Sequence, residues 1–311
     1  MAVALTVTGV GSAFATSLTG INSAAATAAG TTLTATQVAV HSAVAAGFNS
    51  LVSQASVQLV ANQGDVGAVL KAMATEDTVR SLATVMLTAG LTQGLLNAAG
   101  VSSNPALLSE AESMAETMDI LSTALQRTAI QAGVSAGVNT AINGGDLGQN
   151  LTNSLRTAAV TTLGAQVAGE IGLAYREGDL NYVSHKIAHA ALGAAMGEAL
   201  SGDAAAGAIG AMVGEMTAEA IVKTFLHHQL ANPEGLKNLT DEEARQLGAD
   251  MDRLKATGVD LSKLSAGLAA ALAGKDIDTA ATTGGNAAEH NALIIVPIVL
   301  ELMDGQGAPN L

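Results

Sequence analysis

The chain has no cysteine and no tryptophan in 311 residues, and only two tyrosines and three phenylalanines. Without cysteine there is no disulfide and no thiolate metal site, and the compartment is left open. So few aromatics leave little with which to stack nucleic-acid bases. They also leave the interior to small side chains. Burying an alanine removes far less apolar surface than burying a leucine, so stability per residue is expected to be modest. Basic residues are scarce too, at 13 against 27 acidic ones, for a formal charge of −14. That excludes the clustered lysine and arginine of a nucleic-acid-binding face. It also disfavours electrostatic docking on anionic lipid and favours solubility.

The apolar opening MAVALTVTGVGSAFATS ends in small residues, but no lysine or arginine precedes it, and the first base is Lys71. It is therefore read as not being a signal peptide. No window of about 18 residues has the sustained leucine, isoleucine and phenylalanine of a strong transmembrane helix. The apolar run Leu293–Met303 is about half that length and contains Pro297 and Glu301. Also missing are the Gly-x-Ser-x-Gly elbow, a phosphate loop and a dinucleotide fingerprint.

What remains is an alanine-, glycine-, threonine- and serine-rich sequence with helical spacing. Residues 1–74 hold one acid, Asp65, and one base, Lys71. Residues 1–35 fit helix, strand or loose order equally. From Thr36 to Val60 the spacing of Val40, Val44, Phe48, Leu51 and Val52 predicts a helix. Thr75 is an N-cap candidate with Glu76 and Asp77 in the first turn, and Gly100 a natural stop. A following helix starts at Asn104-Pro105 or at the Ser109–Glu112 capping box and runs to about Ile142, with a break near Gly133. Asn232-Pro233 stops a long helix, and Thr240 and Glu243 begin a charged one that Gly258 should end. Asp260 then caps Leu261–Ala273, and Gly284-Gly285-Asn286 reads as a flexible joint before a last helix that Pro297 stops or kinks.

Glycine followed by aspartate recurs as punctuation, at Gly64-Asp65, Gly145-Asp146, Gly178-Asp179 and Gly202-Asp203, and more loosely at Gly274-Lys275-Asp276. Glycine ends one helix in the left-handed region and aspartate caps the next. Gly-x-x-x-Gly pairs stand at Gly90/Gly94, Gly133/Gly137, Gly193/Gly197 and Gly210/Gly214. Residues four apart share a helix face, and glycine there lets two backbones approach. The reading is all-α: an alanine- and glycine-rich multi-helix bundle of antiparallel hairpins joined by short Gly-Asp turns. The segments around Gly47-Phe48-Asn49 and Gly137-Val138-Asn139 form a weak internal repeat.

The one spacing with metal chemistry is His185 and His189, one helical turn apart. Projected at about 100° per residue they share a stripe with Leu192, Met196 and Leu200, while Glu198 lies opposite. The pair is therefore expected on the packing face with no carboxylate beside it. Lys186 stands where a zinc protease of the His-Glu-x-x-His type needs its base. His227 and His228 are adjacent and splay apart on a helix. Glu110, Glu112, Glu116 and Asp119 make a solvated acidic face. No catalytic residue and no cofactor are expected, and His185 and His189 remain weak metal candidates.

The run from about Leu82 to Phe225 resembles the "possible haemagglutinin" domain of unknown function found in filamentous-haemagglutinin-type exoproteins and contact-dependent growth-inhibition toxins. The resemblance is carried by Gly144-Gly145-Asp146-Leu147-Gly148, by Leu163-Gly164 with Gly169-Glu170-Ile171-Gly172, and above all by His185-Lys186-Ile187-Ala188-His189-Ala190. Gly193, Gly197, Gly202-Asp203, Gly207, Gly210 and Val213-Gly214-Glu215 follow it. In such proteins a pre-toxin segment ending in Val-Glu-Asn-Asn comes next, and a variable toxin after that. Ala288-Glu289-His290-Asn291 resembles a degenerate version of that tetrad.

Together these readings divide the chain into a low-complexity segment at 1–74, a haemagglutinin-like helical domain at 75–230, a charged linker or pre-toxin subdomain at 234–283 and a toxin-boundary remnant at 284–311. The resemblance implies a non-enzymatic pre-toxin or delivery module of a secreted two-partner exoprotein, at the cell surface or released, without its effector. Its implied partners are a target-cell envelope component or other domains of the parent exoprotein, with transient membrane contact and no nucleic acid. A membrane-active protein inserting small-residue hairpins is the alternative, and a His185/His189 metalloenzyme a more distant one.

Overall fold

A computed structural model describes residues 10–21, 32–102, 108, 111, 113–230 and 241–291. The described residues form ten α-helices and no strand, so the fold is all-α. They fall into two compact units divided between Gln166 and Val167. These units do not follow the composition boundaries at residues 74, 230 and 283.

The first unit begins with α1 (Val10–Thr19), α2 (Ala35–Ala61), α3 (Val66–Met73) and α4 (Glu76–Ala98). It continues with α5 (Met114–Asn143) and the greater part of α6 (Leu147–Arg176). Phe14 on α1 stacks on Phe48 of α2 at 4.8 Å between ring centroids. Helices α2 and α4 pack antiparallel. Gly47 lies against Met86, Gly90 against Ala39 and Ala43, and Gly94 against Ala35 and Ala39. α4 starts where expected, with Thr75 accepting a hydrogen bond from the Thr78 amide at 3.3 Å.

α5 starts later than either predicted cap. Ser113 is its N-cap and completes a capping box with Glu116. Asn104, Pro105, Ser109 and Glu112 lie outside the described residues. The helix also runs unbroken through Gly133, because one interior glycine costs only about 1 kcal/mol against the hydrogen bonds it keeps.

The second unit holds the end of α6 with α7 (Tyr182–Ser201), α8 (Ala204–Leu230), α9 (Asp241–Leu272) and α10 (Ile277–Asn291). α8 packs against α7, α9 and α10. The expected stop at Gly258 does not occur: Gly258 faces Ile221 of α8, and one continuous α9 packs on α8 and α10. Nor is Gly284-Gly285-Asn286 a joint. It lies within α10, where Gly284 fits against the Gly210 carbonyl, Ser262 and Ala266. Pro297 lies outside the described residues.

Polar threads cross the same seams. Ser262 donates to the Gly214 carbonyl at 2.7 Å and Thr283 to the Gly207 carbonyl at 3.0 Å, both buried. Each hydroxyl finds its acceptor in a carbonyl of the facing helix, so it is buried without being orphaned.

The Gly-Asp joints hold with one exception. At Gly202 the backbone is left-handed, and Asp203 accepts from the Ala206 amide at 2.9 Å. Asp65, Asp146 and Asp276 cap in the same way. At Gly178-Asp179, however, the cap of α7 is Asn181. The Asp179 amide donates back to the Ala174 carbonyl at 2.9 Å, so this residue finishes α6 and cannot begin α7.

One stretch of the described residues, Ala204–Thr224 in α8, is long and apolar enough to cross a membrane by length and composition. It reaches that limit with two isoleucines and no leucine or phenylalanine, so it is not the leucine-, isoleucine- and phenylalanine-rich kind of span.

Candidate functional site

The site is built by the α7–α8 hairpin. Asn181 opens α7 by accepting from the Ser184 amide at 3.0 Å. Four residues separate His185 from His189, so both imidazoles leave the same face. That face meets α8 at backbone distance, because Gly193 lies on Gly207 and Ala211, and Gly197 on Asp203 and Gly207. Both histidines are buried, as is Met196, while Glu198 points to solvent. The projection from sequence placed the pair correctly.

It missed the carboxylate. Glu215 of α8 reaches the pair from across the seam and is fully buried, at 0% exposure. His185 Nδ1 lies 3.0 Å from Glu215 Oε1, and His189 Nε2 lies 4.0 Å from Glu215 Oε2. The expectation of histidines without a neighbouring carboxylate is therefore overturned. It held only for residues on their own helix, where Glu198 faces away. The signal that would have found Glu215 is the symmetry of the hairpin. Gly197 and Gly207 lie five residues either side of Gly202, Gly193 and Ala211 nine, and His189 and Glu215 thirteen.

Lys186 closes the cluster towards solvent. Its Nζ donates to Glu215 Oε1 at 2.6 Å and to Glu219 Oε2 at 2.7 Å. Lys223 pairs with Glu219 Oε1 at 2.7 Å, and the Tyr182 hydroxyl donates to Glu219 Oε2 at 3.4 Å. The Lys186 ammonium also stands 5.0 Å from the Tyr182 ring centroid. Tyr175, at the end of α6, stacks on His185 at 4.3 Å, and His185 meets His189 edge-on at 4.7 Å.

Burial alone would raise the Glu215 carboxyl, but the neighbouring His185, His189 and Lys186 outweigh it and hold it below the usual carboxylate range. Burial likewise works to lower Lys186, yet its contacts with Glu215 and Glu219 raise it. The cluster is thus a carboxylate and an ammonium kept charged inside a helix seam, with two imidazoles beside them. One ligand-capable atom from each of His185, His189 and Glu215 lies within 4.8 Å of the other two.

The remaining candidates do not join it. Gly210 and Gly214 serve the seam with α10, against Ala280 and Thr283 and against Gly284 respectively. Gly133 and Gly137 have nothing within 4 Å of where a side chain would stand. Glu116 and Asp119 are exposed as expected, whereas Glu110 and Glu112 lie outside the described residues. The side chains of His227, His228, His290 and Asn291 also lie outside them. Glu289, in the degenerate tetrad, stands on the last turns of α10 after the buried Ala287 and Ala288. An open depression lined by Asp77, Arg80, Ser81, Thr84 and Asn143 in the first unit involves none of the candidates.

Comparison with known proteins places these elements. A family model described as possible hemagglutinin matches residues 43–211, more than half of the 311-residue chain. A second, described as a pre-toxin domain with VENN motif, matches residues 255–294. The first takes in α7, both histidines and the Gly202-Asp203 joint, and begins well before Leu82, inside the segment set apart on composition. The second takes in the end of α9, all of α10 and the degenerate tetrad. No curated protein and no solved structure matches the chain.

Proposed function

Given that the chain belongs to the family described as possible hemagglutinins, we propose that it is a helical pre-toxin and delivery module of a secreted or surface-exposed polymorphic-toxin exoprotein. It presents an effector and performs no catalysis itself. The observation that carries this reading is the order of the two matches, possible hemagglutinin at 43–211 and pre-toxin at 255–294. The packing of α10 onto α8 supports it as well, since pre-toxin residues Ala280, Thr283 and Gly284 seat directly on Gly210 and Gly214. A boundary segment packed onto an earlier helix of its own unit is suited to hold whatever follows at a fixed point.

The test is transplantation. An exoprotein of a two-partner system, with its corresponding region replaced by this chain and a nuclease reporter appended, is displayed on donor cells mixed with susceptible targets. Target killing that requires residues 43–294 supports the module. Display at normal levels with no killing overturns it. In the genome, a neighbouring two-partner transporter gene and an immunity gene are the expected companions.

A second reading has one observation in its favour, the apolar stretch Ala204–Thr224. Insertion of that stretch as a small-residue hairpin would carry Glu215 into lipid or require its neutralisation. Flotation with liposomes separates the two readings: protein recovered wholly in the soluble fraction at neutral pH removes the membrane-active one.

A further inference from the structure

We propose that His185, His189 and Glu215 form a binding site for a first-row transition-metal dication of the zinc class, which would tie α7 to α8. The donor set carries the assignment. Two imidazoles and one carboxylate suit zinc and its neighbours in the series, whereas calcium and magnesium call for oxygen ligands and more of them. His185 and His189 have the helical spacing at which two histidines share a metal. The contacts of 3.0 and 4.0 Å to the two Glu215 oxygens bracket the donor–donor spacing of about 3.4 Å that tetrahedral bonds of about 2.0–2.1 Å require. All three residues are buried, and one ligand-capable atom from each lies within 4.8 Å of the other two, so ligation asks the three side chains to close in by about an ångström or more.

Lys186 does not block the site. It is already shared with Glu219, so it keeps a partner when Glu215 turns one oxygen to the metal. It can then hold the other Glu215 oxygen, as outer-shell donors commonly do for ligating carboxylates. The competing explanation is a purely structural network of lysine, glutamate and histidine.

Both tyrosines of the chain touch the cluster and tryptophan is absent, so tyrosine fluorescence reports on this place alone. The full chain is stripped with a chelator and titrated with Co2+, then Zn2+, at neutral pH. The expected result is one Co2+ per chain with a visible ligand-field band, quenched tyrosine emission and displacement by Zn2+. The double variant His185→Ala/His189→Ala should weaken binding more than 100-fold, beyond the roughly 10–100-fold that loss of an outer-shell partner brings. His227→Ala/His228→Ala should leave it unchanged. If the first double variant does not fold, X-ray absorption of the zinc-loaded wild type decides, with scattering from two imidazoles expected. No stoichiometric Co2+ or Zn2+ binding overturns the proposal. So does binding that survives loss of His185 and His189, binding that is lost with His227 and His228, or a zinc shell without two imidazoles.

Discussion

The same motif, glycine-x-x-x-glycine, does opposite things in two regions of this molecule. In α7 and α8 it is a contact: Gly193 and Gly197 lie on Gly207, and Gly210 and Gly214 on α10. In α5, Gly133 and Gly137 face open space in the first unit. The motif supplies only the absence of a side chain. A seam forms where the facing helix is also small at the facing positions, as Gly207, Ala211, Ala280 and Gly284 are. Where no such partner faces the pair, the glycines contribute only their usual cost to the helix. The seam has a second consequence, since backbones that close bring Glu215 within reach of His185, His189 and Lys186.

The largest effect expected from breaking that seam is electrostatic. Glu215→Ala removes the carboxylate shared by Lys186 and the histidines, and should cost about 3–5 kcal/mol of unfolding free energy, as loss of one partner from a buried ion pair does. Urea denaturation followed by circular dichroism measures it. A loss under about 1 kcal/mol, the size of a surface pair, would mean that the cluster is not a packed core.

Steric changes come next. Gly214→Ala places a methyl on the Gly284 backbone and should cost about 3 kcal/mol. Gly94→Ala in the first unit meets the Ala39 Cβ at 2.9 Å and the Ala35 carbonyl oxygen at 3.2 Å, a smaller overlap than at Gly214, and should cost about 1 kcal/mol. Equal losses in the same denaturation experiment would remove the distinction between the tighter seam at Gly214 and the looser one at Gly94.

The smallest effect concerns the joint. Asp203 is held below the ordinary carboxylate range by the Ala206 amide, with help from the Asp276 amide. A lowered folded value means its contribution is present above the unfolded value of about 4 and is lost as pH falls through the folded one. Thermal unfolding of Asp203→Asn should therefore lie slightly below wild type at neutral pH, where the charge contributes, and converge with it as pH falls below about 4. An unchanged acid profile would put the cap's role elsewhere.

Much of the fold was legible because helix ends are local. Thr75 and the Gly202-Asp203 joint act where their chemistry places them. Errors arose where tertiary packing overrode a local stop, at Gly258 and at Gly284-Gly285, whose missing side chains are filled by other helices. Asp179 misled for a different reason: the same two residues that end a helix need not begin the next. Half of the site was legible. The His185/His189 stripe followed from helical projection, but Glu215 lies across a hairpin, and projecting one helix is blind to its neighbour. Counting outward from Gly202 would have supplied it.

The comparison of the two glycine pairs rests on one claim, that the facing surface decides what the motif does. Gly207→Ala and Gly137→Ala, unfolded in urea side by side, test it most directly. Gly207→Ala should lose about 3 kcal/mol, since its methyl falls on the Gly193 carbonyl. Gly137→Ala should gain about 0.5–1 kcal/mol by removing an exposed helix-interior glycine. Changes of the same sign in both variants would contradict the account.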